Sequence, residues 1–322
     1  MSPSRKVEET REGVDLTNLD QALFDGADAT KRDLVDYLDA VSDQLIAEVR
    51  DRPLSVIRVH RGQEAFMQKN VPKYAPDFVQ TVEFWAETSK RKVAYALCND
   101  RRTLLWFGNQ RAVEYHPTLV LANDPEHQTY LVLDLDPPEG DGFAAAVRAA
   151  RLVREVLDGA GLACVVKTSG AKGVHVFVPV TGVTLEDAAA ATRAIAARAE
   201  ALDPVVATTA FMKEDREGKV FVDATRVGGG TVVAAYSPRV RPGAPVSFPL
   251  RWEDLDDVVP GDFTIATVPD ALADAGPWLG DVPHDQALPA DLVEEGAGIA
   301  PGRVQAMHEG KRRKRAAARD QP

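Results

Sequence analysis

Between residues 28 and 49 apolar side chains recur at helical spacing. Leu34, Tyr37, Leu38, Val41, Leu45 and Val49 share one face, which predicts an amphipathic helix. Thr30, followed three residues later by Asp33, sketches a capping box at its start, and Arg52-Pro53 ends it. Residues 54–59 alternate like a short strand. Further apolar runs predict strands at 93–97, 129–136, 162–168, 174–180, 219–224 and 231–237. A Ser-Gly-x-Lys-Gly turn between the runs at 162–168 and 174–180 is a hairpin signal, and Gly228-Gly229-Gly230 separates the last two runs. Helices are predicted at 143–157 and over the alanine-rich stretch 184–202, which Thr184 caps with Asp187 three residues on. Residues 66–78 carry Pro72 and Pro76 among Lys69, Lys73 and Tyr74, and read as a loop with a cationic, aromatic surface. Beyond about residue 270 Pro, Gly and Asp dominate and periodicity fades. Alternating strands and helices together with tight hairpins give a mixed α+β chain without internal repeats.

Composition narrows the classes. A chain of 322 residues with 45% hydrophobic and 27% charged residues has an ordinary globular make-up and enough length for a substantial core. No apolar run approaches the ~18 residues of a membrane span. The start, MSPSRKVEET, lacks the apolar stretch of a secretory signal. Cys98 and Cys164 are too few for a disulfide framework, so a reducing, cytoplasmic setting without membrane attachment is expected. The net charge of −11 has the wrong sign for a generic nucleic-acid binder. Its distribution matters more. Residues 253–295 are acidic with no Lys or Arg, whereas 311–322 hold Lys311, Arg312, Arg313, Lys314, Arg315 and Arg319. That tail reads as a solvated terminus, with a phosphate-seeking arm as the alternative.

Four segments carry candidate chemistry. In Leu131-Val132-Leu133-Asp134-Leu135-Asp136-Pro137 the two carboxylates lie two residues apart on a strand and so share a face. Like charges that close disfavour each other unless a cation sits between them, and hard ions such as Mg²⁺ or Mn²⁺ take such oxygens. A lone pair of this kind is more often solvated; here an apolar run leads straight into it. Val220-Phe221-Val222-Asp223 repeats the arrangement, and a third carboxylate would complete a two-metal clamp. In Thr168-Ser169-Gly170-Ala171-Lys172-Gly173-Val174-His175 the glycines free backbone N–H groups for an anion, with Ser169, Lys172 and His175 as further donors. A plain hairpin turn is an equal reading of this segment alone, and the spacing is not that of a P-loop. Finally, Arg239 and Arg241 flank a strand exit and suit bidentate phosphate contact. Together, three strand-end acids, a Gly/Ser/Lys/His turn and paired arginines are the parts of nucleotidyl transfer.

The order and wording of these motifs resemble the polymerase domain of bacterial ATP-dependent DNA ligase D, in the archaeo-eukaryotic primase superfamily. The likeness runs from Leu16-Thr17-Asn18 and Thr30-Lys31 through Phe66-Met67-Gln68-Lys69-Asn70, Glu114-Tyr115-His116-Pro117 and the acid and glycine motifs to Tyr236 and Trp252-Glu253-Asp254-Leu255. It implies a twisted, largely antiparallel sheet platform of the RNA-recognition-motif type, with packed helices and the acids on the open face. It also implies that Asp134, Asp136 and Asp223 bind two Mn²⁺ or Mg²⁺ ions. Ser169, Lys172, Gly173, His175, Arg239, Arg241 and His116 would bind the nucleoside triphosphate. Lys31, Lys69, Phe66 and Arg226 would face DNA.

The expected activity is template-directed addition of ribo- or deoxyribonucleotides to a primer, in gap filling or end joining. The expected organisation is a flexible N-terminus over 1–14, a primase-polymerase catalytic domain over 15–270, an acidic Pro/Gly-rich extension over 271–310 and the basic tail. The protein is expected to act as a stand-alone monomer, with a separate ligase or Ku-type end binder as partners. Three departures from the family pattern stand out: Gln21 where a 5′-phosphate-gripping lysine is usual, Met67 where an aromatic is common, and Arg226-Val227 where Gln-Asn is usual. A non-catalytic DNA-end binding module and a metal-dependent phosphoesterase are the alternatives.

Overall fold

The structure, a computed structural model, describes residues 6–60, 62–86, 90–140, 142–272, 278, 280 and 282–302. The first five residues and the basic tail at 311–322 lie outside the described residues. The chain forms two compact units. One is built from residues up to Pro125, Lys167–Ala171 and Thr231–Gly280; the other from Glu126–Val166, Lys172–Gly230 and the described residues after 281.

The first unit begins with an antiparallel hairpin, β1 (Val7–Arg11) and β2 (Val14–Thr17). The sequence reads this polar stretch as loose. It is ordered because Arg11 reaches Asp36 at 2.6 Å and Asp39 at 3.3 Å, and because Val14 and Leu16 enter the core. The expected long helix divides into α1 (Lys31–Ala40) and α2 (Ser42–Val49), since Val41 leaves helical geometry with φ −97° and ψ 12°. The Thr30–Asp33 capping box is formed as the sequence indicates. Then follow β3 (Leu54–Arg58), β4 (Phe66–Gln68), β5 (Thr81–Ala86), β6 (Arg91–Ala96), α3 (Arg101–Asn109) and β7 (Ala112–Pro117). The sheet order is β4-β3-β6-β5, with β7 also paired to β3. Leu34, Leu38, Leu45, Leu104, Leu105 and Tyr115 fill the core beneath it with no solvent exposure.

The second unit starts at β8 (His127–Asp136) and continues through α4 (Phe143–Gly159). Within β9 (Val165–Thr168) the chain passes into the first unit, and it returns before β10 (Val174–Thr184), α5 (Leu185–Leu202), β11 (Ala207–Thr208) and β12 (Val220–Asp223). The strands β11-β12-β8-β10 are neighbours in that order, β8 lying antiparallel to both β12 and β10. Leu131, Val132, Leu133 and Leu135 are all fully buried, so β8 is covered on both faces until its terminal carboxylates.

Back in the first unit, the expected strand at 231–237 is not a regular one. Val232 and Ala234 donate to Pro117 and Tyr115 carbonyls, but Tyr236 takes a positive φ of 64° and turns the chain toward Ser247. Tyr236 O in turn accepts from the buried Tyr37 hydroxyl at 2.6 Å. The short β13 (Pro249–Leu250) and α6 (Val268–Ala271) follow. Finally α7 (Ala290–Ala297), which the fading periodicity concealed, packs on α5 in the second unit. A Cβ on Gly296 would lie 1.8 Å from Ala190 O, so only glycine permits this approach. Arg193 donates to Gly296 O at 3.0 Å, and Arg198 pairs with Asp291 and Glu295 at 2.9 and 2.6 Å. Among the described residues no helix is long and apolar enough to cross a membrane.

Candidate active site

The second unit aligns its acids by strand register. Asp223 on β12 is paired with Asp134 on β8, and His175 on β10 is paired with Asp134 from the other side. Residues directly opposite in an antiparallel pair project from the same face, so the three side chains form one row across three strands. All are buried: Asp134 is 7% exposed, Asp223 6% and His175 4%. His175 Nε2 lies 3.2 Å from Asp134 Oδ1, and the Thr225 N–H donates to Asp223 Oδ1 at 2.7 Å.

Arg226 joins the row rather than pointing away from it. Its Nη2 and Nε donate to Asp134 Oδ2 at 2.9 and 3.1 Å, and its Nε is 3.5 Å from Asp223 Oδ2. Arg226, expected to face DNA, turns its guanidinium onto two buried carboxylates. Burial alone would raise the Asp134 pKa, but His175 and Arg226 outweigh it and hold this acid ionised well below the usual carboxylate range. Asp136 goes the other way. Burial first, then repulsion from Asp134, raises its pKa against the pull of Lys172 and Arg226. Opposite shifts on two neighbouring acids mark a surplus of negative charge.

The glycine turn is split between the units. In the second, Lys172 Nζ pairs with Glu139 at 3.2 Å, and Gly173 has a packing role: a Cβ there would lie 2.2 Å from Leu135 O. In the first, Gly170 has φ +66°, and its Cβ would meet the Ser247 nitrogen and the Arg239 stem at 2.7 Å. Ser169 is buried; its carbonyl accepts from Arg239 Nη1, and its hydroxyl accepts from the Ala171 N–H at 3.2 Å.

The first unit also builds a cluster around Glu114, to which sequence reasoning gave no role. Glu114 and His116 alternate on β7 and meet at 2.8 Å. A carboxylate only accepts, so Nε2 of His116 carries the hydrogen. Arg239 Nε forms an ion pair with Glu114 at 3.1 Å without hydrogen-bond alignment, and the Val240 N–H donates to Glu114 at 2.8 Å. Burial would raise the Glu114 pKa, but the His116 hydrogen bond and Arg239 bring it below its ordinary value. Burial lowers the His116 pKa despite Glu114, so the imidazole is neutral at pH 7. The i, i+2 rule that singled out Asp134 and Asp136 applies equally to Glu114 and His116. Arg241 is exposed in the following turn.

Of the expected DNA-facing residues, Lys69 and Phe66 are exposed, Phe66 stacking on His60 at 5.3 Å between ring centres. Lys31 is not exposed. At 3% exposure its ammonium donates to Thr17 O at 2.5 Å and Asn109 Oδ1 at 2.6 Å. Lys31 instead lines, with Gln21, Arg58, His60 and Arg111, a polar cleft of about 250 Å³ in this unit.

The donor chemistry of the acid row, hard carboxylate oxygens in surplus, fits a divalent ion. Among the described residues, however, no group of three or more His, Cys, Asp or Glu side chains stands ready as a metal cage, and Arg226 sits among the acids. The family model described as LigD, primase-polymerase domain, matches residues 30–278. The chain belongs to that family. Its members are polymerase-type nucleotidyltransferases. It is 34% identical over 288 residues to the bifunctional non-homologous end joining protein LigD of Bacillus subtilis, covering 87% of this chain and 46% of that one. It is 33% identical over 258 residues to the multifunctional non-homologous end joining DNA repair protein LigD of Mycobacterium tuberculosis, covering 76% and 34%. The chain thus spans less than half the length of these LigD relatives. The solved polymerase domain from Mycobacterium tuberculosis Ligase D in complex with DNA superposes with a TM-score of 0.77 at 31% identity, covering 85% of this chain and all of that one. The α+β architecture with antiparallel sheets is accordingly the primase fold of LigD polymerase domains.

Proposed function

We propose that this LigD-family chain adds nucleotides to a DNA primer end, copying a template across gaps or ends in the course of non-homologous end joining. The observation that carries the reading is the in-register row Asp223–Asp134–His175 with Asp136 beside it, in a primase-polymerase chain. In this reading Asp134, Asp136 and Asp223 hold Mn²⁺ or Mg²⁺, which when bound polarises the triphosphate and favours ionisation of the primer 3′-hydroxyl. His175 fixes the Asp134 carboxylate by its bond to Oδ1. Lys172 offsets charge on the departing pyrophosphate. Glu114 and the Ser169 carbonyl set the direction of the Arg239 guanidinium, and neutral His116 and Arg239 contact the nucleotide.

For the DNA, Phe66 offers a stacking face backed by His60, and Lys69 a phosphate contact. The cleft where Gln21 stands in place of the usual lysine is also lined by Arg58 and Arg111, which supports a 5′-phosphate there in spite of the glutamine. A partner ligase and a Ku-type end binder follow from the same role.

The test is incorporation on a labelled gapped primer–template with Mn²⁺ or Mg²⁺ and each ribo- and deoxyribonucleotide, with and without the downstream 5′-phosphate. Metal-dependent, templated extension is expected, abolished by Asp134→Ala with Asp136→Ala while DNA binding persists. Unchanged extension by the double variant, or none by the wild type with either metal, overturns the reading.

A further inference from the structure

Each oxygen of the two acids paired across the strands, Asp134 and Asp223, is already engaged. Asp134 Oδ2 takes both hydrogen bonds from Arg226 and Oδ1 faces His175, while Asp223 Oδ1 accepts from Thr225 and Oδ2 faces Arg226. A divalent ion of the Mg²⁺ class needs oxygens at ~2.0–2.1 Å and brings two positive charges. It cannot share Asp134 Oδ2 with a guanidinium that also reaches toward Asp223, since like charges at such separations repel strongly in a partly dry site.

Arg226 is nevertheless free to leave. Its side chain is 42% exposed, and it heads a tight turn closed by the Gly230 N–H on the Arg226 carbonyl. Gly228 and Gly229 take φ of +95° and +105° in that turn, and rotation of the Arg226 side chain about its own χ angles carries the guanidinium away from the acids with no change of strand register.

We propose that Arg226 is a resident cation that competes with the metal: its guanidinium neutralises Asp134 and Asp223 in the metal-free protein and is displaced when a divalent ion enters. The inference rests on the metal reading above and deepens it. Two consequences follow. The acid row is stable without metal, because its charges are offset from within the chain. Metal fills the site only at a concentration high enough to expel the arginine.

The test is Mn²⁺ binding, followed by the electron paramagnetic resonance signal of free Mn²⁺ and by calorimetry, on the full chain as wild type, Arg226→Gln and Asp134→Asn. Arg226→Gln is expected to bind Mn²⁺ about tenfold more tightly or better, as one nearby positive charge is removed. Without metal it is expected to melt below the wild type, and to gain more on adding Mn²⁺. Circular dichroism verifies that each variant is folded. Equal Mn²⁺ affinity in wild type and Arg226→Gln overturns the competition and leaves the metal site standing. No saturable binding by either, or binding unaffected by Asp134→Asn, removes the metal reading and the proposal with it.

Discussion

Asp223 and Asp134 stand directly opposite one another on adjacent antiparallel strands, and His175 closes the row from the third strand. His175→Ala strips one oxygen of a buried carboxylate of its partner. The expected cost is about 1–3 kcal/mol of stability, with at least a tenfold fall in nucleotide incorporation. Denaturant titration and primer extension measure the two; a variant unchanged in both would show that the His175–Asp134 contact fixes nothing.

Gly173 lies where β10 begins, with Leu135 O at 2.2 Å from the position of an added Cβ. Gly173→Ala is expected to push β10 away from β8 beside Asp134 and Asp136. A loss of about 1–3 kcal/mol should appear as a lowered melting temperature, together with reduced incorporation. A turn serving only to bind an anion would lose nucleotide affinity with its melting temperature intact.

The His116 imidazole is expected to titrate below its ordinary value of 6.5. Burial favours the neutral form, so the stability it contributes is complete above 6.5 and is lost as pH falls toward the folded-state midpoint. Glu114 opposes that shift, so Glu114→Gln should move the midpoint lower still. NMR titration of the imidazole protons reads both; an upward movement in the variant would contradict the arrangement.

Lys31 and Lys69 separate structural from DNA-facing cations. Lys31→Ala removes the donor to Thr17 O and Asn109, and should destabilise the protein by about 1–3 kcal/mol. Lys69→Ala should leave the melting temperature alone and reduce the salt slope of DNA binding by about 0.9, one phosphate contact. The reverse pattern, with the slope change on Lys31, would place its ammonium on a phosphate.

Much of this was legible along the chain, because strand alternation and strand-end charge are local signals. The acids at 134, 136 and 223, the Thr30–Asp33 capping box and the Thr184–Asp187 cap all depend on residues close in sequence. What escaped depends on distant partners. The bond from Arg226 to Asp134 links residues 92 apart in the chain and has no local signal. The bond from Lys31 to Asn109 appears only when α3 is brought beside it. Glu114 needed only the alternation already applied elsewhere, yet its importance comes from Arg239 and Val240, more than a hundred residues on. The break at Val41 and the irregular stretch after Thr231 are backbone choices that apolar periodicity does not encode.

The contact of Gly296 with Ala190 bears on where this protein can be cut. The family match ends at residue 278, yet α7 seals the small-residue face of α5 so closely that no methyl group fits between them. A chain truncated at that boundary would open an alanine-lined furrow and strand Arg193 and Arg198 without their carbonyl and carboxylate partners. Shortened versions prepared for crystallisation or assay therefore belong beyond residue 302, or they carry a sticky, misbehaving surface into every experiment made with them.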